Sequence, residues 1–311
     1  MSVKIGVAPG LWNWTDGGSS FFHFVEECER LGWDSLWLTD RLVSEHRVLE
    51  PVTAMAAIAA RTQTLKFGAS VLIPSLRNPA VLAKELATVD FLAGGRLLPA
   101  VGLGSEDPRE YQAVGVEKRS RAARTDEAIG LLRRLWTENH VTHNGRFFTL
   151  SNVTIEPKPL FRPALPIWVG GRTEHAQRRV ARLGDGWLAS AVTPQEAASG
   201  VESIRRYLEE EGRHIEEDHY GVILGAYLAD SRERAMDTVN AHTTRLRPDA
   251  PLDSYTLAGT SEDIHHMIQQ YRTAGISKFV LRLACPEEEG LEQLTRLAEA
   301  VAVPVNTGAY G

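Results

Sequence analysis

The sequence predicts a (β/α)8 barrel, and three observations carry that prediction. Short β-branched or apolar runs alternate with longer amphipathic stretches over the whole chain, which is how repeated strand–helix units around a parallel sheet read. The strand-like runs number eight, and eight parallel strands that each lead into a helix close on themselves more readily than they form an open sheet. The dinucleotide fingerprint G-x-G-x-x-G of an open, doubly wound sheet is missing, since Gly102-Leu103-Gly104 lacks the third glycine.

The first strand is expected at 3–8, where the chain enters an apolar pattern directly after its first residues, and the others at 35–39, 66–73, 96–102, 167–169, 186–190, 221–229 and 278–284. Helices are expected at 21–31, 51–60, 79–92, 119–136, 174–183, 194–211, 232–246 and 262–274, with a final one at 290–301. Pro79 suits a first helical turn, because its missing N–H has no partner there in any case. Between the fourth and fifth strands, 139–166 breaks the rhythm. Asn144-Gly145 separates two short β-prone runs, a hairpin signal, and Pro157, Pro159, Pro163 and Pro166 then stiffen an extended connection. No repeat, linker or shift in composition divides 1–311, so a single domain is expected.

Composition excludes several classes of function. Hydrophobic residues are 43% and charged residues 24% of 311, the profile of a chain with a packed core. The balance of 34 basic and 40 acidic residues, net −6, contains no basic block to neutralise a phosphate backbone, so no nucleic-acid partner is expected. The longest near-apolar stretch, 52–60, is far short of the roughly 20 residues that span a bilayer, and no secretory signal is read at the start. Cys28 and Cys285 lack metal-ligand spacing and read as small core hydrophobes in a reducing cytoplasm.

In such a barrel the chemistry belongs to the loops at the carboxyl ends of the strands. After the first strand, Trp12 and Trp14 line a pocket for a planar ligand or pack the loop onto the rim. After the second, Asp40 is a candidate acceptor or proton handler and Arg41 an anion clamp, unless the two pair with each other; His46, in the charged loop that follows, is a substrate-binding candidate beside Trp12 and Trp14 or a solvated loop residue. Gly102-Leu103-Gly104-Ser105-Glu106-Asp107 offers close backbone approach and two carboxylates before Pro108. The fullest signal follows the fifth strand. Gly170, Gly171, Arg172 and Thr173 at a helix start present free N–H groups and a cation, a place for a phosphate, whereas a plain capped turn accounts for Thr173 alone.

These stretches carry a resemblance. The runs Phe67–Val71, Arg77–Lys84, Ala87–Leu92, Val101–Gly104, Arg124–Glu127, Gly145–Phe148, Pro166–Gly171 and Leu183–Trp187, with Gly259–Glu262 in the last repeat, resemble the luciferase-like flavin superfamily, in particular its coenzyme F420-dependent oxidoreductase branch. The likeness covers nearly the whole chain, and its motifs are specific as a set.

The resemblance implies a bacterial-luciferase-like barrel, a homodimer, and a flavin-type ring across the mouth. It places a non-prolyl cis peptide at Ser70-Val71 behind the ring, Asp40 in a hydrogen bond to it, and Leu103 and Gly104 close by. Gly170, Gly171 and Arg172 then hold the phosphate, with Arg124 as a further phosphate contact. The implied activity is F420-dependent hydride transfer to or from a small organic substrate, with Asp40, Arg41 and Glu106 as catalytic candidates. An FMN-dependent monooxygenase is the alternative, and a non-catalytic flavin-binding protein the second. Two positions depart from the pattern: Arg41 stands where many F420 members have histidine, and Pro99 replaces a small residue in the fourth strand.

Overall fold

A computed structural model of the chain describes residues 3–161, 163–243 and 247–306. In chain order the elements are β1 (Lys4–Ala8), α1 (Ser19–Arg30), β2 (Ser35–Leu38), α2 (Pro51–Arg61), β3 (Lys66–Ala69), α3 (Pro79–Leu92), β4 (Leu97–Leu98), β5 (Ala100–Val101), α4 (Pro108–Gln112), α5 (Arg121–Thr137), β6 (Val141–Asn144) and β7 (Thr149–Val153). They continue as β8 (Trp168–Gly170), α6 (Glu174–Leu183), β9 (Gly186–Ser190), α7 (Pro194–Glu211), β10 (Tyr220–Leu228), α8 (Arg232–His242), β11 (Thr256–Gly259), α9 (Ser261–Thr273), β12 (Lys278–Leu283) and α10 (Gly290–Asn306). Four helices open on proline, behind the caps Glu50, Asn78, Asp107 and Thr193, whose side chains accept the first free N–H groups.

The strands form one parallel sheet in the order β4-β3-β2-β1-β12-β10-β9-β8-β5. Its two ends are the halves of one interrupted strand. Pro99 has no N–H for a ladder, so the fourth barrel strand splits there: β4 pairs with β3 and β5 with β8. The carbonyl of Pro99 accepts from Trp168 N at 2.9 Å, and the ring of strands closes through this break. The expected excursion is present, with β6 and β7 pairing antiparallel.

Three elements differ from expectation. The third strand ends at Ala69 rather than 73, because the chain turns inward at 70–71 and regains the ladder only at a Leu72–Val101 bridge. The strand β11, alongside the carboxyl half of β10, was not foreseen; four residues give too short a run for an alternation to be read. The helix expected at 232–246 ends at His242, and 244–246 lie outside the described residues.

Strand alternation divides the core into two layers. Ala8, Trp37, Ala100, Trp168, Leu188, Ile223 and Val280 pack together inside the barrel, while their neighbours, among them Val7, Leu36, Phe279 and Leu281, pack outward against the helices. No helix among the described residues is long and apolar enough to cross a membrane.

Candidate active site

At the carboxyl end of the barrel most inward positions are small. By the alternation just given, Thr39, Gly102, Gly170 and Ser190 follow Trp37, Ala100, Trp168 and Leu188 on the inner face, and Ala8 and Gly225 stand beside β12. Small side chains leave this end open, whereas three tryptophan and leucine rings and branches fill the middle.

Into this space the third strand projects a platform. The Ser70–Val71 peptide is cis, as the resemblance implied. The Val71 side chain lies inside the barrel, packed like Leu98 against the inner cluster. It fits only because its neighbours are glycines: a Cβ on Gly102 would stand 2.4 Å from Val71 Cγ2, and one on Gly170 2.8 Å from Cγ1. Gly104 adopts φ +77°, and a Cβ there would meet Ile73 at 2.8 Å.

Beyond Gly170 the chain makes the expected turn into α6. Gly171 has φ +121°, and its carbonyl is held by Trp187 Nε1 at 2.7 Å. Thr173 caps α6, its hydroxyl accepting from Ala176 N at 3.3 Å. Arg172 is exposed beside this helix start. The Gly171 and Arg172 amides therefore sit at the positive end of a helix dipole next to a cation, the chemistry a phosphate requires.

Asp40 is placed differently from the proton handler and ring partner that the sequence suggested. It is buried, both carboxylate oxygens are occupied, and Arg77 is the reason. Arg77 Nη1 and Nη2 donate to Oδ2 and Oδ1 at 2.6 and 3.0 Å, and Ile73 N donates to Oδ2 at 2.9 Å. Burial alone would lower the Arg77 pKa, but its bonds to Asp40 and Glu50 outweigh that and raise it. Asp40 thus braces the chain just after the platform. Arg41 does not pair with it. Its guanidinium approaches Glu110, a fully buried carboxylate, at 3.7 Å, and Glu110 in turn accepts from Ser105 Oγ at 3.0 Å.

Glu106 is exposed and bonded to Lys118 and Arg121, which hold its carboxyl below the ordinary range. An ionised, solvated carboxylate is poorly suited to donate a proton. Leu103 lends its carbonyl to Tyr111 Oη at 2.6 Å, which fixes the loop ahead of Gly104.

Four further candidates make none of these contacts. Of the two readings for Trp12 and Trp14, their surroundings fit packing of the loop onto the rim: both are buried, edge-to-face with Phe24 and each other, and Trp12 Nε1 donates to Cys285 O at 2.9 Å. The aromatic partners on α1 that cover them are not apparent from the loop sequence. His46 is exposed in the following loop. Arg124 donates to Ser75 O at 3.0 Å and stacks 4.3 Å over Phe148, and with Arg77 it lines a cavity of about 310 Å³ between α3, α5 and the hairpin.

Sequence reading missed Arg77, Glu110 and Arg282. The signal for Arg282 exists: Lys278 and Arg282 interrupt an apolar strand at two inward positions of equal parity.

A model of the luciferase-like monooxygenase family matches residues 17–302. The chain belongs to that family. It is 33% identical over 201 residues to an F420-dependent glucose-6-phosphate dehydrogenase of Kineococcus radiotolerans, a match spanning 61% of this chain and 58% of that one. With the enzyme of the same description from Amycolatopsis mediterranei it shares 27% over 317 residues, 92% and 94% of the two chains. Among solved structures, the monooxygenase RslO1 of Streptomyces bottropensis superposes with a TM-score of 0.82 at 23% identity, covering 96% of this family member and 99% of its neighbour. An F420-dependent secondary alcohol dehydrogenase in complex with an F420-acetone adduct superposes at 0.81 and 20%, covering 97% and 99%. At these identities the structural likeness speaks for the barrel.

Proposed function

We propose that this family member is an oxidoreductase that binds coenzyme F420 across the carboxyl end of its barrel and acts on a small organic substrate. The observation that carries the reading is the glycine-walled seat of Val71, facing the open end beside an amide-lined helix start. A flat platform flanked by a phosphate cradle fits a phosphate-bearing tricycle. The F420 dependence of both sequence relatives supports the choice of cofactor.

Coenzyme F420 supplies two-electron hydride chemistry when bound. The chain's own contribution is placement and polarity. The 170–173 turn receives the phosphate, Ser70 and Val71 back the ring, and Leu103 and Gly104 approach it. Asp40 and Arg77 hold the platform's continuation rigid, so the cofactor meets a preorganised surface. Arg41, partly exposed and at the mouth, is the candidate to contact substrate; Glu106 contributes a fixed negative charge rather than a proton.

Reduced FMN with dioxygen is the second reading, supported by 30% identity over 204 residues to an FMNH(2)-dependent dimethylsulfone monooxygenase of Pseudomonas putida. Titration with each cofactor, followed by absorbance, separates the two. Uptake of F420 with a reduced form that survives air supports the first; FMN uptake with rapid reoxidation supports the second, and binding of neither refutes both. We also propose a cytoplasmic homodimer. Two buried free cysteines suit a reducing compartment, and Val81, Phe91 and Leu92 leave α3 with exposed apolar surface for a second copy. Sedimentation at micromolar concentration tests the dimer.

A further inference from the structure

The strand β12 presents Lys278, Val280 and Arg282 on the inner face of the barrel. Arg282 is the uppermost, and its registered neighbours on both adjoining strands are the smallest available, Ala8 on β1 and Gly225 on β10. A long cation therefore rises between two gaps into the open end. Its contacts are slight. Nη2 reaches Ser70 Oγ at 3.3 Å and Ser70 O at 3.5 Å, and Nε is buried with no hydrogen-bond partner. Among the described residues no carboxylate pairs with it, and the charge that acts on it is another cation, Arg41. Burial first, and Arg41 second, hold its pKa below the ordinary value.

Arg282 is half-buried, with its Nε buried, and a partly desolvated guanidinium without a counter-charge is costly unless something else satisfies it. Arg41 compounds the cost, since its own partner Glu110 is 3.7 Å away and shared with Ser105. Arginine presents a planar fork of donors suited to carboxylate or phosphate oxygens. We infer that the mouth accepts a substrate bearing an oxyanion, with Arg282 as the receptor for that group and Arg41 as the second cation at its side. The substrate class follows from the charge, while its size is limited by the Ala8 and Gly225 gaps. This inference rests on the proposed function for the word substrate, but the anion site itself does not.

The test is isothermal titration of the F420-loaded protein with inorganic phosphate and with acetate, in a buffer free of both, for the natural chain, Arg282→Met and Arg282→Lys. Saturable binding of one probe is expected, and which probe binds separates a phosphate from a carboxylate substrate. The Met variant should weaken that binding at least about tenfold and the Lys variant by no more than about threefold. Without probe, the Met variant should melt at a higher temperature than the natural chain, because it removes a half-buried charge that has no counter-charge. F420 affinity, read by absorbance, should stay within about threefold in both variants. The inference is overturned if neither probe binds the natural chain, if Arg282→Met binds it equally well, or if F420 affinity collapses in that variant, which would assign Arg282 to the cofactor. Should the natural chain take up no F420, the proposed function fails, and the same titrations on the protein alone still decide the anion site.

Discussion

The two ends of β12 hold two inward cations, and their surroundings are opposite. At the amino end, Lys278 is bonded to Asp34, which also accepts from Lys66 Nζ at 3.2 Å, and the Lys278 ammonium lies 5.6 Å from the centre of the Trp37 ring. At the carboxyl end, Arg282 bonds only to Ser70 among the described residues. Four residues separate a charge that is neutralised by its own fold from one left open. In barrels of this kind the closed end serves stability and the open end serves chemistry. Here that division is visible in charge pairing on one strand, independently of any family likeness.

The largest effect expected from this contrast comes from breaking the paired end. Asp34→Ala strands Lys278 in the barrel and should lower stability by about 3 kcal/mol, read by urea or thermal melting, with F420 affinity unchanged. Burial pushes the Asp34 carboxyl up, but Lys278 and Lys66 more than reverse this and hold it below its ordinary value. Its stabilisation is then present above the unfolded carboxyl pKa of about 3.9 and is lost as the pH falls through the lower folded value. The natural chain should lose stability across that acidic window, and the variant should lose less. An unchanged melting temperature in Asp34→Ala would remove the distinction between the two ends.

Asp40 brings a paired carboxylate to the open end, and so sharpens the comparison. Asp40→Ala leaves Arg77 with Glu50 as its one carboxylate, beside the Ile73 carbonyl, and Ile73 N without its acceptor. Stability should fall by about 2–3 kcal/mol, together with F420 affinity. A proton handler would behave otherwise: Asp40→Asn would abolish turnover and shift its pH profile while leaving melting and cofactor binding intact. Smaller again is Gly102→Ala. Its Cβ would collide with Val71, and overpacking of this kind costs about 1–2 kcal/mol. The displaced platform should weaken F420 binding by about tenfold, whereas Gly95→Ala, a glycine with open space around it, should leave F420 binding alone.

The barrel was legible because alternation and turn residues are local. Eight runs, the Asn144-Gly145 hairpin and the Pro99 interruption each announce themselves within a few residues. So did the 170–173 turn, where glycine, cation and cap are consecutive. What the sequence hid is pairing across distance. Asp40 and Arg77 are 37 positions apart, and nothing local says that the first carboxylate is occupied. Trp12 and Trp14 sit in a loop, and only the tertiary fold brings Phe21 and Phe24 of α1 over them. Arg282 is the reverse case, since its isolation is as invisible along the chain as the partners of Lys278.

The smallest expected effect concerns the mouth's outermost acid. Glu106 is bonded to Lys118 and Arg121, and its side chain is 77% exposed, a setting in which salt and water screen most of the attraction. Glu106→Gln should therefore change stability by less than about 0.5 kcal/mol. Because Lys118 and Arg121 hold its pKa below the ordinary carboxylate range, Glu106 stays charged throughout neutral conditions, and the natural chain and the variant should share one pH profile of turnover between about pH 6 and 8. A profile that loses a limb in Glu106→Gln would show this carboxyl exchanging a proton during the reaction, and the open end would then contain a titrating acid as well as an unpaired cation.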